Sequence, residues 1–319
     1  MKISIPDISK QIYYKDTLNL FINNYSKIGP QWTITQMEWL NIVYKTFKDH
    51  DKFVILIYLI KKTLDFYSEN FIKLDYDNYY SRSSIEIEKF NIIDVAKDLH
   101  IPKESARRKL VELEKDGIIK RIKKKVIIDT YAFPFVKPIK TLTRVSSFLS
   151  LLSKELSDKN ILQKPILSKE LEKIIKINFS YIWKLFYEMQ IPMLTTYKKY
   201  FNNIESFHIF GTCVVNQHIN QQQQIENSMG RLEFIKSFYT NDKMSGLNAM
   251  SISDITGIPR ATVVRKLKEL TEKKILSIDN KKHYKLTGNS ADQLAPLQKE
   301  VINKLSIFST KIFNLVINF

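Results

Sequence analysis

The sequence predicts a mainly α chain carrying small β-hairpin wings, with one structural unit written twice. Three observations lead there. A block of thirteen residues recurs 157 positions further along the chain. Apolar residues at helical spacing precede and follow each copy, as amphipathic helices require. Behind each copy stands a lysine-rich segment between two short runs with apolar residues, the pattern of a hairpin.

The repeated block sets Ile101-Pro102-Lys103-Glu104-Ser105-Ala106-Arg107-Arg108-Lys109-Leu110-Val111-Glu112-Leu113 against Ile258-Pro259-Arg260-Ala261-Thr262-Val263-Val264-Arg265-Lys266-Leu267-Lys268-Glu269-Leu270, with seven identities. Lys103/Arg260 and Ser105/Thr262 are conservative exchanges, and the match runs on to Ile118 and Ile275. Self-similarity at a fixed offset is the mark of a duplicated unit. A polar break at Ser157-Asp158-Lys159-Asn160 halves the chain. The expected domains are therefore residues 1–158 and 159–319.

Each half is expected to run through helices, a helix-turn-helix, a hairpin and a closing helix. The first begins with a helical pattern over about 16–26, stopped by Gly29-Pro30. Apolar helical spacing follows over 39–67, and again over 182–219 in the second half. Residues 75–84, rich in Tyr, Asp, Asn and Ser, read as a loop. Gln221-Gln222-Gln223-Gln224 reads as the solvated end of a helix. Pro138 and Pro296 each precede an amphipathic stretch, marked by Ser147-Phe148-Leu149-Ser150 and Ser306-Ile307-Phe308-Ser309.

Within the first block, residues 93–99 form a short helix and His100-Ile101-Pro102 a tight turn. The proline suits the first position of a following helix, where a missing N–H costs nothing. The second helix, 103–115, buries Ala106, Leu110 and Leu113. Gly117 ends it, being able to take a left-handed backbone. Residues 118–122 and 126–128 are the strands of a hairpin around Lys123-Lys124-Lys125. The second copy has a helix over 250–255, a turn at Thr256-Gly257-Ile258-Pro259 and a helix over 260–273 seated on Val263, Leu267 and Leu270. Its hairpin spans 275–286 around Asp279-Asn280-Lys281-Lys282. Both read as winged helix-turn-helix units, at about 90–130 and 247–287.

At about 100° per residue, the buried seam leaves Arg108 and Arg265 pointing outward. An exposed arginine at mid-helix can bond guanine O6 and N7 with both arms. Lys103, Ser105, Arg107, Arg260 and Thr262 share or border that face, while Lys109 and Lys266 are expected to reach phosphate. The hairpin lysines, Lys123, Lys124, Lys125, Lys281 and Lys282, are expected on the adjacent backbone or minor groove. Thr-Gly-Ile-Pro-Arg-Ala-Thr-Val, residues 256–263, resembles the turn and recognition helix of many bacterial winged-helix repressors. The overall order resembles MarR-type regulators, whose terminal helices build a dimer platform under two winged helices. Such chains usually hold one unit, whereas this one holds two. The resemblance implies a tandem pair on a pseudo-twofold helical platform.

Charge points the same way. Lys and Arg number 50 against 33 Asp and Glu, a formal +17. Residues 103–125 and 260–285 each carry +6, so under a sixth of the chain supplies +12 of that surplus. A basic surplus concentrated in this way favours a polyanion. The expectation is a sequence-specific double-stranded-DNA-binding transcriptional regulator. The alternatives are a plasmid- or phage-type replication initiator and an architectural DNA-binding protein.

Other chemistry has little support. The five histidines (50, 100, 208, 218, 283) show no metal-ligand spacing, and seven scattered glycines leave no phosphate-cradling loop. No enzyme activity, metal or cofactor is expected. Cys213, the single cysteine, precludes an intrachain disulfide and reads as core. Met1-Lys2-Ile3-Ser4-Ile5-Pro6-Asp7 lacks the pattern of a signal peptide. A cytoplasmic, nucleoid-associated protein is therefore expected, with no membrane partner. Trp32, Trp39, Tyr44, Trp183, Phe186 and Tyr187 are either simple core or the lining of a pocket for a small-molecule effector.

Overall fold

Helix α1 (Tyr14–Asn23) opens the chain, and Asn24 separates it from α2 (Tyr25–Phe47). Next come α3 (His50–Glu69), α4 (Tyr76–Tyr80), β1 (Ser84–Ile87), α5 (Ile92–Asp98) and α6 (Lys103–Lys115). The first half closes with β2 (Lys120–Ile122), β3 (Lys125–Asp129), α7 (Phe133–Val136) and α8 (Ile139–Asp158). The second half runs α9 (Ser168–Ile177), α10 (Phe179–Phe201), α11 (Ile204–Gln222), α12 (Arg231–Ser237), α13 (Ala249–Thr256) and α14 (Arg260–Glu272). It ends with β4 (Leu276–Ile278), β5 (Tyr284–Leu286) and α15 (Gly288–Ile317). The computed structural model describes residues 11–88, 90–129, 131–222, 229–237 and 245–317. The Met1–Asp7 stretch and Gln223-Gln224 lie outside the described residues. The chain is mainly helical with two small antiparallel sheets.

The duplication reaches beyond the block visible in the sequence. α1 and α9 each have 10 residues, and α2 and α10 each have 23, displaced by 154 positions. Their junctions match in backbone: Asn24 has φ −112° and ψ 31°, Asn178 φ −107° and ψ 33°. Lys48 and Asn202 end α2 and α10 in the left-handed region, at φ 54° and 68°. Side chains then restart the chain in the same way. Asp49 Oδ1 accepts from the Lys52 N–H at 3.0 Å, and Asn203 Oδ1 from the Ser206 N–H at 2.8 Å. Each bond satisfies one of the four free donors at a helix start.

Packing is reciprocal between the halves. α1 lies on α15 and α9 on α8, while α3 packs on α10 and α11 on α2. α2 meets α8 as α10 meets α15. The opening helix of each half thus rests on the closing helix of the other. One continuous apolar core results, from Ile12 to Phe313. Trp39, Tyr44, Trp183, Phe186 and Tyr187 are buried in it.

Several expectations give way here. Gly29 and Pro30 do not stop a helix; both lie inside α2, and the break falls earlier, at Asn24. Proline removes one backbone hydrogen bond, but the buried face through Ile28, Trp32, Leu40 and Val43 outweighs that loss. Pro296 likewise sits inside α15, although Pro138 does precede α8. Residues 75–84 are not a plain loop. Asp75 caps α4, and Tyr79 and Tyr80 pack on Phe179 with ring centroids 5.2 and 5.6 Å away. The burying surface comes from α10, about a hundred residues distant, so no local pattern announces it. β1 follows and adds a third strand, order β1-β3-β2. The second hairpin gains only an isolated bridge between Leu247 and Tyr284. Among the described residues, no helix is long and apolar enough to cross a membrane.

Candidate nucleic-acid interface

Each basic segment folds as a short helix, a tight turn, a second helix and a hairpin. Asn91 Oδ1 caps α5, accepting from the Ile93 N–H at 3.0 Å, and Asn248 Oδ1 caps α13, accepting from the Ser251 N–H at 2.9 Å. Left-handed residues occupy the two turns, His100 at φ 49° and Gly257 at φ 75°. α6 and α14 begin after Pro102 and Pro259 and run 13 residues each. Left-handed residues follow them too, Gly117 at φ 71° and Lys274 at φ 56°. The expected seams are sealed: Ala106, Leu110, Leu113, Val263, Leu267 and Leu270 are all buried. α6 rests on α3, and α14 on α11.

This seating leaves the two arginines at the mid-helix positions facing solvent. The Arg108 side chain is 67 % exposed and that of Arg265 61 %. Each leans toward the glutamate one turn on. Arg108 Nε lies 3.9 Å from Glu112 Oε1, and Arg265 Nη1 lies 2.9 Å from Glu269 Oε1. Exposed pairs of this kind are weak, about 0.3–0.5 kcal/mol, so a better acceptor can displace them. Arg107 is exposed and bonds Glu104, with Nε 3.0 Å from Oε2. That bond holds the Glu104 carboxyl below the usual range. Ser105 and Thr262 are half-buried at the edge of the face.

Lys109 and Lys266 are a correction. Both turn inward instead of reaching for an external phosphate. The Lys109 ammonium pairs with Asp49 and lies 3.1 Å from Glu112 Oε2, with its side chain only 16 % exposed. Lys266 lies 3.1 Å from Glu269 Oε2 and is buried against α11. Burial pushes the Lys109 pKa down, and hydrogen bonds to Asp49 and Glu112 more than reverse it. Lys109 fastens α6 to the cap of α3, Lys266 is tied to its own helix, and both are withdrawn from the candidate interface.

The hairpins divide similarly. Lys123 and Lys124 are exposed at the first tip, Lys281 and Lys282 at the second. Together with exposed Lys103 and Arg260, they have no ion-pair partner among the described residues. Lys125 differs: its Nζ lies 2.5 Å from Glu88 and 3.6 Å from Glu86, both contributed by the unforeseen β1 region. Asp279 does not cancel the lysines beside it so much as shape the tip. Its Oδ1 accepts from the Lys281 and His283 N–H groups, each at 2.9 Å. Those bonds hold its carboxyl below the usual range. Lys268, 79 % exposed and 3.9 Å from Glu272, extends the outward face beyond Arg265. It was legible from its place three residues after Arg265, yet is absent from the candidates drawn from sequence.

Two histidines that show no partner in sequence meet in space. His50 Nε2 lies 3.2 Å from His208 Nδ1, and His208 Nε2 donates to Asn41 Oδ1 at 2.7 Å. His50 Nδ1 lies 3.2 Å from Glu205 Oε1. Burial and the neighbouring His50 push the His208 pKa well below its ordinary value. No cluster suited to a metal ion occurs among the described residues. Cys213 is buried, and burial pushes its thiol up to about 12.

No protein-family model, curated protein or solved structure matches this chain.

Proposed function

We propose that the chain is a sequence-specific double-stranded-DNA-binding regulator built as a single-chain pseudo-dimer. In this reading residues 1–158 and 159–319 act as its two protomers. Each basic segment is then a winged helix-turn-helix, with α6 and α14 as recognition helices and the hairpins as wings. The observation that carries the reading is the paired placement of Arg108 and Arg265. Each stands outward at the same place on a sealed helix, beside a hairpin tip with unpaired lysines. An arginine so placed can read guanine in the major groove, while tip lysines hold the backbone. The reciprocal packing of the helices supports a pseudo-twofold platform, as the MarR-type resemblance implies.

Selection of bound duplexes from a random pool tests this directly. The expected result is one enriched motif with two halves. Tight binding with no enriched motif would indicate an architectural role and overturn the reading. Enrichment of tandem direct sites would favour a replication initiator.

A further inference from the structure

The turns that lead into α6 and α14 match in position and are finished differently. At the offset of 157 residues that relates the two basic segments, His100 corresponds to Gly257. Both take a left-handed backbone, at φ 49° and 75°. The first turn carries an exposed imidazole, and the second carries no side chain. Histidine holds that backbone in the first unit, so conformation alone does not call for glycine in the second.

A neighbour lies across the bare turn. α2 packs on α13, and a Cβ on Gly257 would sit 3.2 Å from Lys45 Cγ and 3.7 Å from its Cε. The lysine stem is thus laid along the turn, and the ammonium, one bond beyond Cε, ends there. Glycine is what admits so close an approach. Lys45 belongs to the last turn of α2, in the opposite half of the chain, with Tyr44 and Phe47 beside it facing the core. It is exposed and has no ion-pair partner among the described residues. The turn beneath is held firmly. The Gly257 N–H donates to the Ser253 carbonyl at 2.8 Å, and Ser253 Oγ donates to the Ile258 carbonyl at 2.7 Å. α14 begins three residues on, at Arg260.

We propose that Lys45 is a DNA-phosphate contact delivered across the halves, by which the platform helix α2 completes the backbone-binding edge of the second unit. This rests on the reading of that unit as a winged helix-turn-helix. In such a unit the first helix crosses the DNA backbone and the N-terminal residues of the second meet base edges, so the turn between them stands over phosphate. An ammonium on a flexible stem meets a phosphate oxygen as a point charge. The contact fixes position and carries no sequence information. In the first unit His100 stands at the same place.

Salt titrations of duplex binding by the full chain test the contact. Lys45→Gln is expected to lower the slope of log K against log salt by about 0.9, on selected and random duplex alike, and Lys45→Arg to preserve it. Lys169→Gln, at an exposed lysine of α9, is expected to leave it unchanged. Methylphosphonates placed singly along the selected operator then locate the contact. One neutralised phosphate should weaken binding by the native chain and not by Lys45→Gln. It should lie in the half whose base preference Arg265→Ala relaxes. An unchanged slope for a folded Lys45→Gln chain overturns the proposal, as does a contact mapped to the other half. Lost stability with an unchanged slope would mean that Lys45 only complements the C-terminal dipole of α13. Duplex bound without an enriched motif would refute sequence-specific reading alone, because the expected fall in slope on random duplex would still establish the contact.

Discussion

Glu112 and Glu269 show how single residues divide the work of the two basic helices. Each glutamate faces an outward arginine at i−4 and an inward lysine at i−3. The arginine is free to exchange its carboxylate for a base edge, and the lysine is not. Replacing Arg108 or Arg265 with alanine is therefore expected to cost about 1–3 kcal/mol of binding and relax base preference in one half-site. Duplex selection with each variant checks this, and an unchanged motif would refute the placement of the outward face. Lys109→Ala should act on the fold instead. Its ammonium joins α6 to Asp49, the cap of α3, in a half-buried pair. The expected loss is about 1–2 kcal/mol of stability, between exposed and fully buried pairs. Denaturant unfolding measures it, and unaltered stability would return Lys109 to the candidate DNA contacts. Helical spacing alone placed Arg108 correctly and Lys109 wrongly. Lys109 lies on the flank of the seam, and only the approach of α3 decides whether a flank is covered.

At the scale of elements, those built from their own residues were legible. α6, α14 and both hairpins lie where turn prolines, left-handed residues and apolar seams put them. Elements that depend on a distant partner were not legible. α4 takes its burial from α10, β1 takes its hydrogen bonds from β3, and α2 holds Pro30 because its buried face is long. The α1–α3 repeat was hidden because its offset is 154 residues while that of the basic block is 157. Two buried histidines of α11, His208 and His218, carry a pH dependence. Burial and His50 depress the pKa of His208, and burial depresses that of His218. The native state therefore declines protons that the unfolded chain accepts below about pH 6.5. Stability from these groups is present above that value and falls as pH drops toward their native pKa values. With both neutral in the fold, the slope should approach about 2.7 kcal/mol per pH unit near pH ~5. Urea unfolding from about pH 7.5 to about pH 5 checks this. A flat profile would mean that neither histidine is buried in neutral form, and His208→Gln should halve the slope.

For the whole molecule, the decisive property is that two similar basic units belong to one chain and are not identical. A homodimer reads a palindrome because its heads are the same. Here Arg107 corresponds to Val264, which is 46 % exposed and can touch a thymine methyl but form no hydrogen bond. The first hairpin has β1 as a third strand and the second a single bridge, so the tips are not held alike. Reciprocal helix packing joins both units through one core, so no second chain is needed to complete the pair. One chain is expected to occupy one operator, an imperfect inverted repeat whose half-sites lie ~10–11 bp apart. The half under α6, with its additional arginine, should be held more tightly. Lys103, Lys123, Lys124, Arg260, Lys281 and Lys282 are among the exposed cations of the two units that have no ion-pair partner among the described residues. If about six phosphates are engaged, affinity should fall by roughly three decades from about 50 to about 200 mM salt. Footprinting with mass measurement of the complex gives stoichiometry and symmetry, and a salt titration gives the slope. A perfect palindrome bound only by two chains would show that the halves do not work as a built-in pair. A nearly salt-independent constant would instead show that the tip lysines do not meet the backbone, whatever the stoichiometry.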